Sequence, residues 1–367
     1  MAKYRFEQIA FNSTEKKIPN DHDRLLYIGL EHLDSGSLRV TRWGSDVPIK
    51  GEKLVMHKGD VLFGKRNAYL RRAAIAPHDG TFSAHGMVLR PNEQIVCKEF
   101  FPHFIASDYF FDEAIRISVG SLSPTVNWKD LRNCEFELPS LEEQKRLAKA
   151  LWAVNYTIET YKNLLKKTDE LVKSQFMEMF GALLSESDKC TSIEDVCILF
   201  ADGDWIESKD QSDEGIRLIQ TGNVGNGIYI DKGERARYIS EYTFNRLHCT
   251  EVKPGDILIS RLPDPVGRAC MIPEGLGKTI TAVDCSIVRF SEKVLPEFFV
   301  AYTLTPLYAS QVGLGITGST RQRISRKNLG QVIMPVPEIG LQEQFAEFVR
   351  QTDKSKFALL NCSNLNL

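Results

Sequence analysis

The chain has 367 residues, 43% hydrophobic and 26% charged, a composition that excludes disorder as the main state and makes two domains the natural expectation. Lys and Arg number 46 against 48 for Asp and Glu, a net charge of -2, so any polyanion must be met by local basic patches rather than by the whole surface field. The eight cysteines stand singly with no CxxC spacing, which argues against a disulfide framework or a zinc ribbon. Residues 1–17 carry charge every few positions, and nowhere do about 18 apolar residues run together. A soluble protein of a reducing cytoplasm, with no membrane partner, is expected.

In chain order, short apolar runs at 60–63 and 86–89 read as strands between Gly, Pro, Asn and Asp turns, and 100–115 reads as a helix. From Leu141 to Phe180 there is neither Gly nor Pro. Ser140 with Glu143 forms a capping box at its start and Gly181 stops it. Steps of four and three link Leu147, Leu151, Val154, Ile158, Tyr161, Leu165, Thr168, Val172, Gln175 and Met179. That is a heptad seam, and it calls for a partner helix along a rod of about 60 Å. Strands at 256–259 and 286–290 and a helix at 296–312 follow. A last helix begins near Leu341 with Phe345, Val349, Thr352 and Leu359 on one stripe. It is the natural antiparallel partner, but it is shorter than the first.

The halves repeat. Gly59, Asp60, Val61 and Leu62 recur as Gly255, Asp256, Ile257 and Leu258, and Arg72 with Ala73 as Arg268 with Ala269, all at an offset of 196. Gly120, Ser121, Leu131 and Pro139 recur as Gly318, Ser319, Leu329 and Pro337 at 198, and Leu141, Glu143 and Gln144 align with Leu341, Glu343 and Gln344 at 200. A collinear series of this kind makes each half a compact α+β unit.

Catalytic motifs are missing. Gly277, Lys278 and Thr279 would end a phosphate loop, but Ile272 stands where its first Gly belongs, and Ile230 stands where the dinucleotide pattern of Gly225 and Gly227 needs its last. No HExxH, GxSxG or metal-spaced His and Cys cluster occurs, and no Asn-Pro-Pro-aromatic tetrapeptide. Neither a catalytic residue nor a metal site is assigned.

What remains is a set of basic and amide-rich loops at matching places. After the first Gly-Asp strand come Lys65, Arg66, Asn67, Tyr69, Arg71 and Arg72; after the second come Arg261 and Arg268. Guanidinium forks pair with guanine edges or phosphates, and Asn pairs with adenine. The plain alternative is a solvated basic hairpin, which recurrence at matched sites makes no more than an equal competitor. Past the Gly-Ser turns, one copy offers Ser121, Ser123 and Thr125 and the other Ser319, Thr320, Arg321, Gln322 and Arg323, with Arg326 and Lys327 beyond. Crowded cations and hydroxyls suit a phosphate backbone, while Ser at such a place also caps helices. Gln220, Thr221 and Asn223 form a weaker polar candidate.

The whole layout resembles the specificity (S) subunits of type I restriction-modification systems. The residues that carry the likeness are Gly59-Asp60-Val61-Leu62, Gly120-Ser121 with Trp128 to Leu131, and Leu138-Pro139-Ser140-Leu141-Glu142-Glu143-Gln144, together with their second copies. The resemblance implies two pseudo-symmetric α+β target-recognition domains, at 1–139 and 182–337. Between them it implies a spacer helix at 140–181 and a shortened second helix with tail at 338–367, the two helices forming an antiparallel coiled-coil spacer. It also implies a bipartite double-stranded DNA site read by the loops above. Leu147, Leu151, Val154, Ile158, Tyr161, Leu165, Val172, Met179, Phe345, Val349 and Leu359 would serve helix pairing and partner docking. Two adenine-methylating (M) subunits with S-adenosylmethionine, and translocase-nuclease (R) subunits using ATP and Mg, would complete the complex. No cofactor would sit on this chain. The competing reading is a duplicated protein-interaction scaffold that does not bind DNA.

Overall fold

A computed structural model describes residues 2–186, 189–318 and 321–363, with the side chains of Ser185 and residues 357–363 excepted. The chain divides into two compact units, Met1–Glu159 and Thr160–Leu367, each a mix of sheets and helices. The duplication read from sequence is a duplication of topology. In the first unit, strands Ala10–Ser13, Met87–Pro91, Val61–Phe63 and Ala73–Ile75 lie side by side in that order, all antiparallel. In the second, Cys197–Asp202, Cys285–Phe290, Ile257–Ser260 and Ala269–Met271 take the same order and sense.

A second small sheet keeps only one parallel pair of strands in common. Tyr27–Ile28 runs parallel to Gly80–Phe82 in one unit, and Ile216–Ile219 parallel to Thr279–Thr281 in the other. Beyond that pair the units part. Lys53–Met56 pairs with Gly80–Phe82 in the first, whereas in the second that contact shrinks to the single bridge Val252 to Thr279 and Arg237–Ile239 pairs with Ile216–Ile219 instead.

The Gly-Asp strand starts repeat because they share a hydrogen-bonding job. Gly59 and Gly255 take positive φ (94° and 87°), the region only glycine enters without a steric penalty. The following aspartates are buried, and each accepts a fork from one arginine: Asp60 from Arg90 at 2.8 and 2.9 Å, Asp256 from Arg289 at 2.7 and 2.7 Å. Each carboxylate also accepts a backbone N–H, from His57 or Lys253. Side-chain hydrogen bonding to these carboxylates raises the guanidinium pKa of Arg90 and of Arg289.

Helix expectations are refined in two places. The segment 100–115 is two helices, Phe101–Ala106 and Asp108–Arg116, because Ser107 caps the second by accepting from Phe110 N at 3.2 Å. The segment 296–312 splits likewise at Thr305, which caps Pro306–Leu314. The apolar period continues across each break, so sequence periodicity alone merges the pair.

Leu141–Phe180 is one helix of 40 residues, begun by the capping box in which Glu143 N donates to Ser140 Oγ and Ser140 N to Glu143 Oε2. Its burial does not follow the heptad seam evenly. Leu147, Leu151 and Ile158 stay close to 40% exposed and Val154, Tyr161 and Leu165 are half-buried. In this stretch the face turned to the first unit is instead Gln144, Ala148 and Trp152, the last donating from its indole to Glu99 O at 2.9 Å. Further on the seam closes on the second unit: Val172 is buried and Met179 half-buried, but the deepest residues are Phe176 and Phe180. Against them the C-terminal helix Ile339–Ser363 runs antiparallel, with Phe345 at 5.5 Å from both rings and Lys356 bridging Asp169 at 2.6 Å. Val349 is half-buried in this contact; the side chain of Leu359 lies outside the described residues.

The root of each helix is held by a buried glutamine. Gln144 accepts from Cys97 N (2.7 Å) and donates to Ile95 O and Pro139 O (3.0 and 2.9 Å). Gln342 accepts from Leu295 N (2.9 Å) and donates to Lys293 O and Pro337 O (both 2.8 Å). The partner of Gln144 is therefore Gln342 at the unbroken offset of 198, which corrects the alignment of Gln144 with Gln344. The chance recurrence of Leu, Glu and Gln two residues later had suggested an insertion that does not exist.

A test follows from this socket. Gln144→Leu keeps the volume but leaves one buried N–H and two carbonyls unpaired, and should destabilise the first unit by about 2–4 kcal/mol, read as a lowered urea midpoint.

Candidate nucleic-acid interface

In the first unit, two loops separated by more than fifty residues of sequence are stitched into one surface. Val126 N donates to Lys65 O (2.9 Å) and Asn67 N to Pro124 O (2.7 Å), while Arg66 and Thr125 form a bridge. Arg66 is exposed and reaches Ser123 Oγ with Nη2 at 3.1 Å. Thus Lys65, Arg66, Asn67, Ser123 and Thr125, nominated from separate loops, share one site, with Ser121 exposed at its tip. Burial lowers the Lys65 ammonium pKa, with Lys16 adding to the shift. Asn67 sits at φ 56° with a buried Oδ1 that has no partner. Tyr69 is exposed at 55%, and Arg72 is half-buried.

Arg71 departs from expectation. Its two terminal nitrogens are each 2.6 Å from a carboxylate, of Asp108 and of Asp112, so it fastens its loop to the helix Asp108–Arg116 rather than standing free for a phosphate.

The second unit repeats the frame with different chemistry. Ile324 N donates to Arg261 O at 3.2 Å, the counterpart of the bond from Val126 to Lys65. Thr317 pairs with Arg323 as Val119 pairs with Thr125. Arg321, Gln322, Arg323 and Lys327 are exposed. Arg321 and Arg323 each lie 3.9 Å from Asp284, a separation at which a solvated pair contributes little, so both cations remain available to an anion. Ser319 and Thr320 lie outside the described residues.

Three nominated residues of the second unit, Arg261, Arg268 and Asn223, are spent on structure instead. Arg261 is 5% exposed, donates to Val283 O at 2.5 Å and pairs with Asp202 at 3.4 Å. Arg268 donates to the carbonyls of Val224, Leu262, Pro265 and Thr221, and burial lowers its pKa. Asn223 is buried, accepting from Gln220 N and donating to Ile230 O. These side chains hold loops that would otherwise carry unpaired carbonyls. Thr221 gives its carbonyl to that network, and Gln220 is half-buried beside it.

Sequence reasoning missed the acids. Asp202 faces Arg261 and Arg326 (3.4 and 3.7 Å), and Asp284 faces the turn. Asp284 follows the strand Thr279–Thr281 where His85 follows Gly80–Phe82, an offset of 199 that no matched residues display, so the repeat offered no signal for this acid. Among the described residues no cluster of His, Cys, Asp and Glu could hold a metal ion, and no helix is long and apolar enough to cross a membrane.

Basic loops thus recur at matching places on duplicated heads, each head rooted on a helix. Residues 15–168 match the type I restriction modification DNA specificity domain. The putative type I restriction enzyme MjaX specificity subunit of Methanocaldococcus jannaschii is 25% identical over 351 residues, covering 88% of this chain and 79% of the relative. The type I restriction enzyme EcoDI specificity subunit of Escherichia coli is 24% identical over 187 residues, 49% of this chain and 41% of that one. A solved type I restriction-modification S subunit from M. genitalium shares the fold with a TM-score of 0.54 at 12% identity, covering 99% of this chain and 91% of the other. The first unit thus matches a type I restriction modification DNA specificity domain, and over most of its length the chain is similar to specificity subunits of such systems.

Because Asp284 is the acid nearest Arg321 and Arg323, Asp284→Asn should raise the local positive charge without unfolding the turn. The expected result is elution from a heparin column at higher salt, with an unchanged circular dichroism spectrum.

Proposed function

We propose that each unit reads one half of a bipartite double-stranded DNA site, through Lys65, Arg66, Asn67, Ser123 and Thr125 in the first and Arg321, Gln322 and Arg323 in the second. The observation that carries this reading is the recurrence of one backbone frame, loop stitched to turn, with cations exposed on it in both units. Phosphate contacts by these cations would fix register, and the amides and guanidinium forks would read base edges. A helix of about 60 Å is ample to span one turn of DNA, roughly 34 Å.

In this reading the chain works in the cytoplasm and carries no cofactor. Adenine-N6 methyltransferase subunits, two in number, bring S-adenosylmethionine, and translocase-nuclease subunits bring ATP and Mg. The exposed stripe of Leu147, Leu151 and Ile158 supports docking of such subunits on the helix.

The test is a salt titration of binding by the full chain with its methylating subunits. Arg66→Ala and Arg321→Ala should each weaken binding and lower the slope of log K against log salt by about 1. Unchanged slopes in both would favour the protein-scaffold reading.

A further inference from the structure

At the tip of the stitched turn of the first unit stands Leu122, 94% exposed, a leucine with almost nothing to pack on. The turn is not loose. Val119 and Thr125 exchange two backbone hydrogen bonds (3.0 and 2.9 Å), Thr125 Oγ1 donates to Ser123 O at 3.0 Å, and Arg66 and Asn67 hold Ser123 and Pro124 from the neighbouring loop. Gly120 turns the chain at φ 115°. Backbone and side-chain bonds thus fix the residues on both sides and leave Leu122 projecting at the tip, flanked by the hydroxyls of Ser121 and Ser123, with Val119, 63% exposed, at the base of the turn.

Resting on the DNA-reading assignment above, we propose that Leu122 enters a groove of the bound duplex and packs against the bases of the half-site read by the first unit. A narrow aliphatic tip on a braced, hydroxyl-flanked turn, beside a guanidinium whose one side-chain partner among the described residues is a neutral hydroxyl, suits this occupant. The guanidinium and hydroxyls meet phosphates on either side, and the leucine finds apolar surface only on base faces or a thymine methyl. A protein partner would meet a broad apolar patch, whereas here the exposed apolar residues, Leu122, Val119 and Tyr69, stand among hydroxyls and cations. By the repeat offset the second unit carries Thr320 at the matching position, so the contact belongs to one half-site.

The experiment uses the full chain with its methylating subunits and a duplex holding the site found by mapping methylated adenines. Leu122→Ala should lower affinity for that site by about tenfold or more while leaving the salt slope as in the parent, since an apolar contact releases no counterion. Leu122→Met should restore most of the loss. Enhanced 2-aminopurine fluorescence at the site, lost in Leu122→Ala, identifies a wedge between base steps; loss of affinity on replacing thymine by uracil identifies a methyl contact. Unchanged affinity in Leu122→Ala overturns the proposal, as does a defect seen only in retention of the methylating subunits. If the parent complex itself shows no salt-dependent binding to the mapped site, the DNA-reading assignment falls and takes the proposal with it; normal parent binding with an indifferent Leu122 removes the proposal alone.

Discussion

One buried carboxamide at the root of each helix governs how the heads are held. Gln144 and Gln342 each satisfy an N–H and two carbonyls that have no other use in the core. In a low-dielectric interior a fully met polar group is rigidifying, and a half-met one is costly. The helix therefore leaves its head at a fixed place, and the loops borne by that head inherit the same fixity. The buried aspartate-arginine pairs play the matching part inside the sheet, fixing where the strand before each basic loop begins.

On this shared frame the units solve the same problem with different residues. In the first, Arg66 braces the turn through a serine hydroxyl, a neutral contact that leaves its charge unspent. In the second, acids stand behind the cations, so that Arg261 and Arg326 are tied to Asp202 while Arg321 and Arg323 project past Asp284. The divergence is greatest in the loops and in the strand pairing of the small sheet, and least in the hydrogen bonds that hold the frame.

Much of the architecture was legible from the residues. The Gly-Asp starts and Gly-Ser turns marked the repeat because each is a backbone requirement that few residues can meet, and the capping box and the run without Gly or Pro marked the long helix. Burial along that helix was less legible. A heptad pattern assumes one partner throughout, whereas this helix meets one unit through Gln144, Ala148 and Trp152 and the other through Val172, Phe176 and Phe180. Site residues were the least legible. Arg71, Arg261, Arg268 and Asn223 have the same chemistry as the exposed Arg66, Arg321 and Arg323, and only three-dimensional packing shows that carboxylates or carbonyls have already claimed them.

The glutamine sockets have a consequence for how such a chain can change over generations. Every atom that receives Gln144 or Gln342 belongs to the main chain, so the sockets place no demand on the identity of the residues that form them; indeed Ile95 and Cys97 are answered by Lys293 and Leu295. A head can drift in sequence, or be exchanged whole for another, and still seat on the same helix. Novel recognition can thus be acquired without renegotiating the joint.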